Sequence, residues 1–277
     1  MATASEEYSA GNIQAALTAI AEEIKASPSD AKKRAFFVEL LCIAGEYERA
    51  DQQLNTLVVL DPQSAITVGT WRQLIRAAQS RMDVYQKNAV PDVIDQPTPV
   101  IARSLELLVA LNADDATQAA AALEQLEKVA KPLCLNVNGK AVEHWRDLDD
   151  VNAYVLELLG TNGKYFWIDY AQIESIEFDQ PARPLDMLWR KVTITLNNGS
   201  VGEAFVPAVY PYKAEDDAAK LGRLTQWHEQ CGLSRGEGLR TWLLGDEALT
   251  VFEVNNITAS NTDQNSNETS IASEAVN

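Results

Sequence analysis

The chain has 277 residues, 46% of them hydrophobic, with 40 acidic against 23 basic side chains and a formal net charge of −17. That length and apolar content suffice for one or two packed units, while the acidic balance sets the mean field against nucleic-acid phosphates and anionic membrane surfaces, so neither is expected as a partner. No run of about 18 apolar residues occurs, and the start MATASEEYSAGN has neither a basic flank nor an apolar core, so the expectation is a cytoplasmic protein with no transmembrane span or secretory leader.

Residues 5–25 read as a helical pair turning at Gly11-Asn12, with Ile13, Leu17, Ile20 and Ile24 at helical spacing. Residues 31–62 repeat the plan. Ser29-Asp30 caps a helix whose Phe37, Leu40, Leu41 and Ala44 form an inward stripe, Gly45 makes the turn, and Pro62 stops the second helix. Gly11 and Gly45, Ala16 and Ala50, and Pro28 and Pro62 each stand 34 residues apart, the period of a tetratricopeptide helical hairpin. Residues 64–85, with Trp71, Leu74, Ile75 and Ala78 on one face, read as the opening helix of a further, degenerate repeat. Three prolines between Pro91 and Pro99 then bend or link the array. Two more helices follow, carrying Leu105, Leu108 and Leu111, then Ala119, Leu123, Leu126 and Val129. The helical part is placed at residues 1–131.

From Leu133 onward the period turns from helical to alternating, with turn signals at Asn138-Gly139, Asn162-Gly163, Asn198-Gly199 and Gly245-Asp246. The clearest hairpin alternates Val192, Ile194 and Leu196 with Thr193 and Thr195 and returns over residues 201–206. Two others join residues 153–159 to 165–168 and 240–244 to 249–254. Residues 214–232 read as a helix opened by an acidic turn and stopped by Gly232, with Gly222 marking a close backbone approach. The expected fold class is thus α+β, helical hairpins followed by a mixed unit of antiparallel hairpins and a helix over residues 132–255. The Asn-, Ser- and Thr-rich residues 256–277 are expected to be disordered.

For chemistry the chain offers little. Cys42, Cys134 and Cys231 form no CxxC and read as reduced, buried small hydrophobes. His144 and His228 are the only histidines and have no HExxH spacing, so no metal site is expected. GxSxG, GxxxxGK[ST] and a post-strand GxGxxG are missing, and Gly236-Glu237-Gly238 is too short to cradle a phosphate, so no cofactor is expected. Asp147, Asp149 and Asp150 beside Arg146 are the one acidic cluster where paired carboxylates could do acid–base work or bind a hard cation, against a plainer reading as a solvated loop or helix cap. Trp189, between Asp186 and Arg190, reads as core, its flanking charges as anchors of a loop to the helix carrying Arg223. Gly222, Arg223 and Trp227 read as structural, with a binding surface as the alternative.

The blocks RDLDD (146–150), GKYFWIDYAQIESIEF (163–178), RPLDMLWR (183–190), GEAFVPAVYP (202–211), LGRLTQW (221–227) and GLRTWLLGDEAL (238–249) follow one another in an order that resembles the ImpE/TagJ family of type VI secretion accessory proteins. The family pattern runs D-L-L-W-R, P-A-L-Y-P, L-G-R-x-T-x-W and G-x-R-x-F/W-L-x-G-D-E; Met187 and Val209 stand where Leu is usual, and Leu239 where Gln is usual. The resemblance spans Gly11 to about Val254. It implies a non-enzymatic accessory of the contractile apparatus that binds the N-terminal helix of the small sheath subunit and influences sheath assembly or recycling by the AAA+ unfoldase. Asp147, Asp149, Asp150, Asp186, Trp189, Arg190, Gly222, Arg223 and Trp227 fall on the family blocks. A hairpin array offers a concave groove to an amphipathic guest helix, and in the second hairpin the lining positions are Lys32, Ala35, Glu39, Cys42 and Ile43. The junction carrying Trp189, Arg223 and Trp227 is the competing surface. The alternative to protein binding is a ligand-binding, metal-binding or enzymatic C-terminal unit using Asp147, Asp149, Asp150 or Asp186, with the helical half as a general scaffold.

Overall fold

In the computed structural model, which describes residues 2–211 and 215–260, the helical half runs α1 (Ala4–Ala10), α2 (Ile13–Ala26), α3 (Ala31–Ile43), α4 (Tyr47–Leu60), α5 (Ala65–Lys87), α6 (Pro99–Asn112) and α7 (Ala116–Val129). The starts are set by side-chain caps. Thr3 and Glu6 form a capping box on α1, Asp30 accepts from the Lys32 and Lys33 amides, and Asp115 accepts from the Gln118 amide. Thr98 caps α6 with Pro99 at its first position, where a missing N–H costs nothing. Gly11 and Gly45 close the first two hairpins at φ +92° and +76°, a region that side chains with a Cβ rarely adopt. Helix α3 is buried continuously from Phe37 through Ile43, so its C-terminal half, apolar apart from Glu39, has no solvent face.

The proline-bearing connection over residues 88–98 reaches the sheet. Asp92 donates its amide to the Tyr165 carbonyl (2.8 Å) and accepts from the Trp167 amide (3.0 Å), covering part of an edge strand that would otherwise expose unpaired backbone groups.

The strand-rich half contains β1 (Leu135–Val137), β2 (Lys140–Val142), β3 (Trp145–Asp147), β4 (Val155–Gly160), β5 (Tyr165–Asp169), β6 (Ile173–Phe178), β7 (Trp189–Leu196), β8 (Val201–Pro207), the short α8 (Asp217–Lys220), then β9 (Thr225–Gln230), β10 (Leu233–Gly238), β11 (Thr241–Leu244), β12 (Glu247–Thr250) and β13 (Asn256–Ala259). The main sheet has the order β2-β1-β13-β6-β7-β8-β4-β5, with β12-β11-β3 and β10-β9 forming smaller sheets. The expected hairpins are present as β4–β5, β7–β8 and β11–β12, the last with its return strand at Glu247–Thr250 rather than over 249–254, because the turn is only Gly245-Asp246.

Two further expectations are corrected. The segment 214–232, described from residue 215, is not one helix: among its described residues only Asp217–Lys220 is helical, and β9 and β10 form a hairpin instead. The backbone at Gly222 turns to φ +62° and ends the helix, and Cys231 and Gly232, both at positive φ (+54° and +81°), make the tight turn whose twist matches a two-stranded ribbon. Residues 256–259 are not disordered but fill the slot between β1 and β6, where Ile257 is buried. Positions 261–277 of the segment expected to be disordered lie outside the described residues. Of the cysteines, Cys42 is buried as expected, Cys231 is partly exposed and Cys134 is exposed.

Two apolar clusters hold the molecule together. One lies within the sheets around Trp242, Tyr170, Ile176 and Val206. The other joins the helices to the strand-rich half, with Leu40, Trp71 and Leu74 in one continuous group with Val155, Trp167, Leu188 and Trp189.

Candidate functional site

The acidic cluster is not solvated. Asp147 and Asp149 are wholly inaccessible and Asp150 is nearly so. Asp147 leaves the end of β3 and accepts from Arg240 Nη1 (2.6 Å), Tyr210 Oη (2.8 Å), the Asp149 amide (2.9 Å) and Trp242 Nε1 (3.2 Å). Asp149 accepts from Arg235 Nε and the Gly236 amide, both at 2.9 Å, and caps a 3-10 turn through the Val151 amide. Asp150 takes Arg146 Nη2 (2.6 Å) and the Ser234 amide (2.7 Å). The cap half of the plainer reading therefore holds at Asp149, and the solvated half does not.

The network extends to groups that spacing gave no reason to single out. Glu157 of β4 receives a two-pronged contact from Arg81 of α5, Nε to Oε1 at 2.7 Å and Nη2 to Oε2 at 3.0 Å. It also accepts from Arg240 Nη2 and from the Tyr165 hydroxyl. Arg240 thus bridges Asp147 and Glu157, and its Nε donates to the Pro207 carbonyl. Four carboxylates face four guanidiniums, the arrangement under which buried charge is tolerable. Burial pushes Asp147 up to about 6 although Arg240 pulls the other way. Burial acts on Glu157 in the same sense, but Arg81 and Arg240 together outweigh it and hold that carboxyl down at about 2. The signal available in the sequence was a lone Glu in an otherwise apolar strand, Val155 to Gly160, which demands a buried cation.

Of the remaining block residues Trp189, Arg190 and Gly222 are buried, Asp186 is partly so, and Arg223 and Trp227 are exposed. Asp186 accepts from the Ala182 and Arg183 amides and closes the 3-10 turn Pro184–Met187. Trp189 is core, its ring 6.3 Å from that of Tyr47. Arg190 is buried between Phe178 and Phe252 and donates to the carbonyls of Asp179, Val251 and Val254. A Cβ on Gly222 would stand 3.3 Å from Val209 Cγ1, the close approach expected there, though in a loop rather than a helix. Among the described residues Arg223 makes no hydrogen bond or ion pair to the 186–190 loop. It donates to the carbonyls of Tyr8 and Ser9 at the end of α1, while Asp217 accepts from the Ile13 amide at the start of α2. Trp227 is 43% exposed and edges against Tyr210.

The five groove positions on α3 divide. Lys32 is exposed and Ala35 partly so, but Glu39, Cys42 and Ile43 are buried. Glu39 is held by Arg183 Nε at 2.6 Å, and that guanidinium lies 4.5 Å over the Trp71 ring. The chain's own Pro184–Met187 turn covers this stretch of α3, so a guest helix cannot lie along all five. The physical reason is that the C-terminal half of α3, Phe37 to Ile43, is buried within the fold, its one charged residue Glu39 being paired with Arg183.

Every carboxylate of the cluster is committed to internal donors, and the Arg81–Glu157 pair ties the helical half to the strand-rich one. Among the described residues no three His, Cys, Asp or Glu side chains converge as metal ligands, and no helix is long and apolar enough to cross a membrane.

A family model described as ImpE protein matches residues 139–258, the span that contains most of this network. The type VI secretion system accessory component TagJ of Pseudomonas aeruginosa is 33% identical over 249 residues, covering 89% of this chain and 88% of its own length. The crystal structure of protein VPA1032 from Vibrio parahaemolyticus superposes with a TM-score of 0.87 at 32% identity, over 93% of this chain and 97% of that one. End-to-end likeness in sequence, together with the same fold, places the chain in the ImpE/TagJ family.

Proposed function

We propose that this protein is a non-enzymatic accessory component of a type VI secretion system that binds the N-terminal helix of the small contractile-sheath subunit in the cytoplasm. Through that contact it influences sheath assembly or its recycling by the AAA+ unfoldase. The observation that carries the reading is the 33% identity across 89% of the chain to an accessory component of that system. The internal commitment of Asp147, Asp149, Asp150 and Asp186 agrees with a role in which no bond is made or broken. The partner does not lie along the whole inner face of α3; Lys32 and Ala35 remain accessible, and Cys42 and Ile43 form part of a cleft wall. Calorimetric titration of the full-length protein with a synthetic peptide of the sheath subunit's first helix is the test. Saturable heat with a dissociation constant in the micromolar range is expected, and no heat at high micromolar concentration overturns the reading.

A further inference from the structure

A cleft of about 160 Å³ opens where the α3–α4 turn, α5, the start of β7 and α8 meet. Its walls are apolar, with Ile43, Ala44, Met82, Leu188 and Trp189 among them. Among the described residues the charged side chains that line it are Arg81 and Lys220, with no carboxylate, in a chain where acids outnumber bases 40 to 23. The carboxylates that pair with these cations, Glu157 and Asp217, stand outside the lining.

Two donors in this cleft have no acceptor among the described residues. Arg81 commits Nε and Nη2 to Glu157 and the Val209 carbonyl, while Nη1 has no hydrogen-bond partner among the described residues. The Tyr47 hydroxyl likewise has none, and neither atom is sealed from solvent. Tyr47 sits close enough to Arg81 to feel its charge: burial raises the phenol to about 12, and the guanidinium opposes that rise. An apolar recess with a few convergent, unsatisfied polar groups is the ordinary form of a recognition pocket.

We propose that this cleft receives a carboxylate side chain of the partner polypeptide, with Arg81 Nη1 and the Tyr47 hydroxyl donating to its oxygens and Met82 and Trp189 against its methylene stem. This rests on the reading of the protein as a polypeptide binder. The recess has room for one side chain, not for a helix, so it supplies an anchor point within a larger contact. A charge-assisted bond of this kind distinguishes a carboxylate from the matching amide.

The chain has three methionines, of which Met82 lines the cleft, so methyl-labelled methionine gives a local probe in the full-length protein. N-acetyl-glutamate N-methylamide at millimolar concentration is expected to shift the Met82 methyl saturably. The glutamine analogue is expected to bind about tenfold more weakly, as is the glutamate probe to Tyr47→Phe, corresponding to loss of about 1.4 kcal/mol. Tyr47→Phe should melt with the wild type because the hydroxyl bonds nothing inside the fold, and Ala44→Met, which fills the recess, should abolish the shift. An unresponsive Met82, or equal responses to the two probes, overturns the proposal. A sheath peptide that binds wild type and Tyr47→Phe equally removes the cleft as its anchor while leaving the proposed function standing. A Met82 response without any sheath-peptide binding supports the cleft and removes the sheath partner.

Discussion

Among the described residues Arg240 is the one cation that contacts both Asp147 and Glu157, so these two buried carboxylates depend on it. Taking away one partner of a buried ion pair leaves an uncompensated charge in a medium that solvates it poorly, which costs about 3–5 kcal/mol. Arg240→Met is therefore expected to lower the urea midpoint by that equivalent with little change in slope, and Arg240→Lys to recover little of it, because an ammonium cannot fork between two carboxylates. A midpoint within 1 kcal/mol (roughly the worth of a surface ion pair) of wild type would show the network to be dispensable. The same two carboxylates set the pH response. Asp147 is raised from 3.8 to about 6, so between those values the folded state holds the extra proton and stability rises as pH falls. Glu157 is depressed from 4.5 to about 2, so its contribution is complete above 4.5 and is lost as pH falls toward 2. Melting temperature is expected to rise from pH 7 to 5, to level off between about 4.5 and 3.8 where the two carboxyls oppose each other, and to drop below about 3.8; a monotonic fall from pH 7 would contradict the Asp147 assignment.

Among the elements, the first helical hairpin is tied down from a distance. Asn12 makes no side-chain cap on α2, and the carboxylate of Asp217, 204 residues away, accepts from the Ile13 amide in its place. Arg223 satisfies carbonyls at the other side of the same turn. The pair matches each helix end with the charge its dipole favours, anion at the start of α2 and cation at the end of α1. Asp217→Ala is expected to cost about 1 kcal/mol, the usual worth of a cap, and hydrogen exchange should speed up in α1 and the first turn of α2 with the sheet unaffected. Uniform acceleration across the chain would instead make the contact global. The helices were legible in the sequence because Asp30, Gly11, Gly45 and Pro62 are local signals read within one turn, while the caps at Thr3, Thr98 and Asp115 emerged only with the fold. The β9–β10 hairpin was not. Its strand TQWHEQ has no apolar alternation to report, its turn is Cys231-Gly232 rather than Asn-Gly, and the reason for Gly236 lies far off in sequence, where a Cβ would fall 2.4 Å from the Tyr210 ring. The strand β13 was missed for the same cause: one buried side chain, Ile257, places a polar tail segment in the sheet. The acidic cluster was found by composition, but its partners Arg81, Glu157, Arg235 and Arg240 are scattered over separate elements, and only the fold brings them together.

At the scale of the whole molecule, the change from helical to alternating period near residue 131 marks a boundary of secondary structure that the packing does not respect. The cluster containing Leu40, Trp71 and Leu74 is completed by Val155, Trp167, Leu185 and Trp189 from beyond that point. The ion pairs Arg81–Glu157 and Glu39–Arg183 cross the same boundary. Separating the halves would expose an apolar face on each, leave Arg81 without its carboxylate and take from Glu157 one of its two guanidiniums, a combination of lost burial and unpaired charge. Calorimetry of the full chain is accordingly expected to give one cooperative transition, with the van't Hoff and calorimetric enthalpies in agreement. A fragment ending at residue 131 is expected to keep helical circular dichroism but to bind a hydrophobic dye and melt without a sharp transition, the behaviour of a chain with secondary structure and no fixed core. Two resolved transitions in the intact protein, or a fragment that melts as sharply as the whole, would mean that the shared cluster contributes contact without cooperativity, and that a partner could open the halves at little cost.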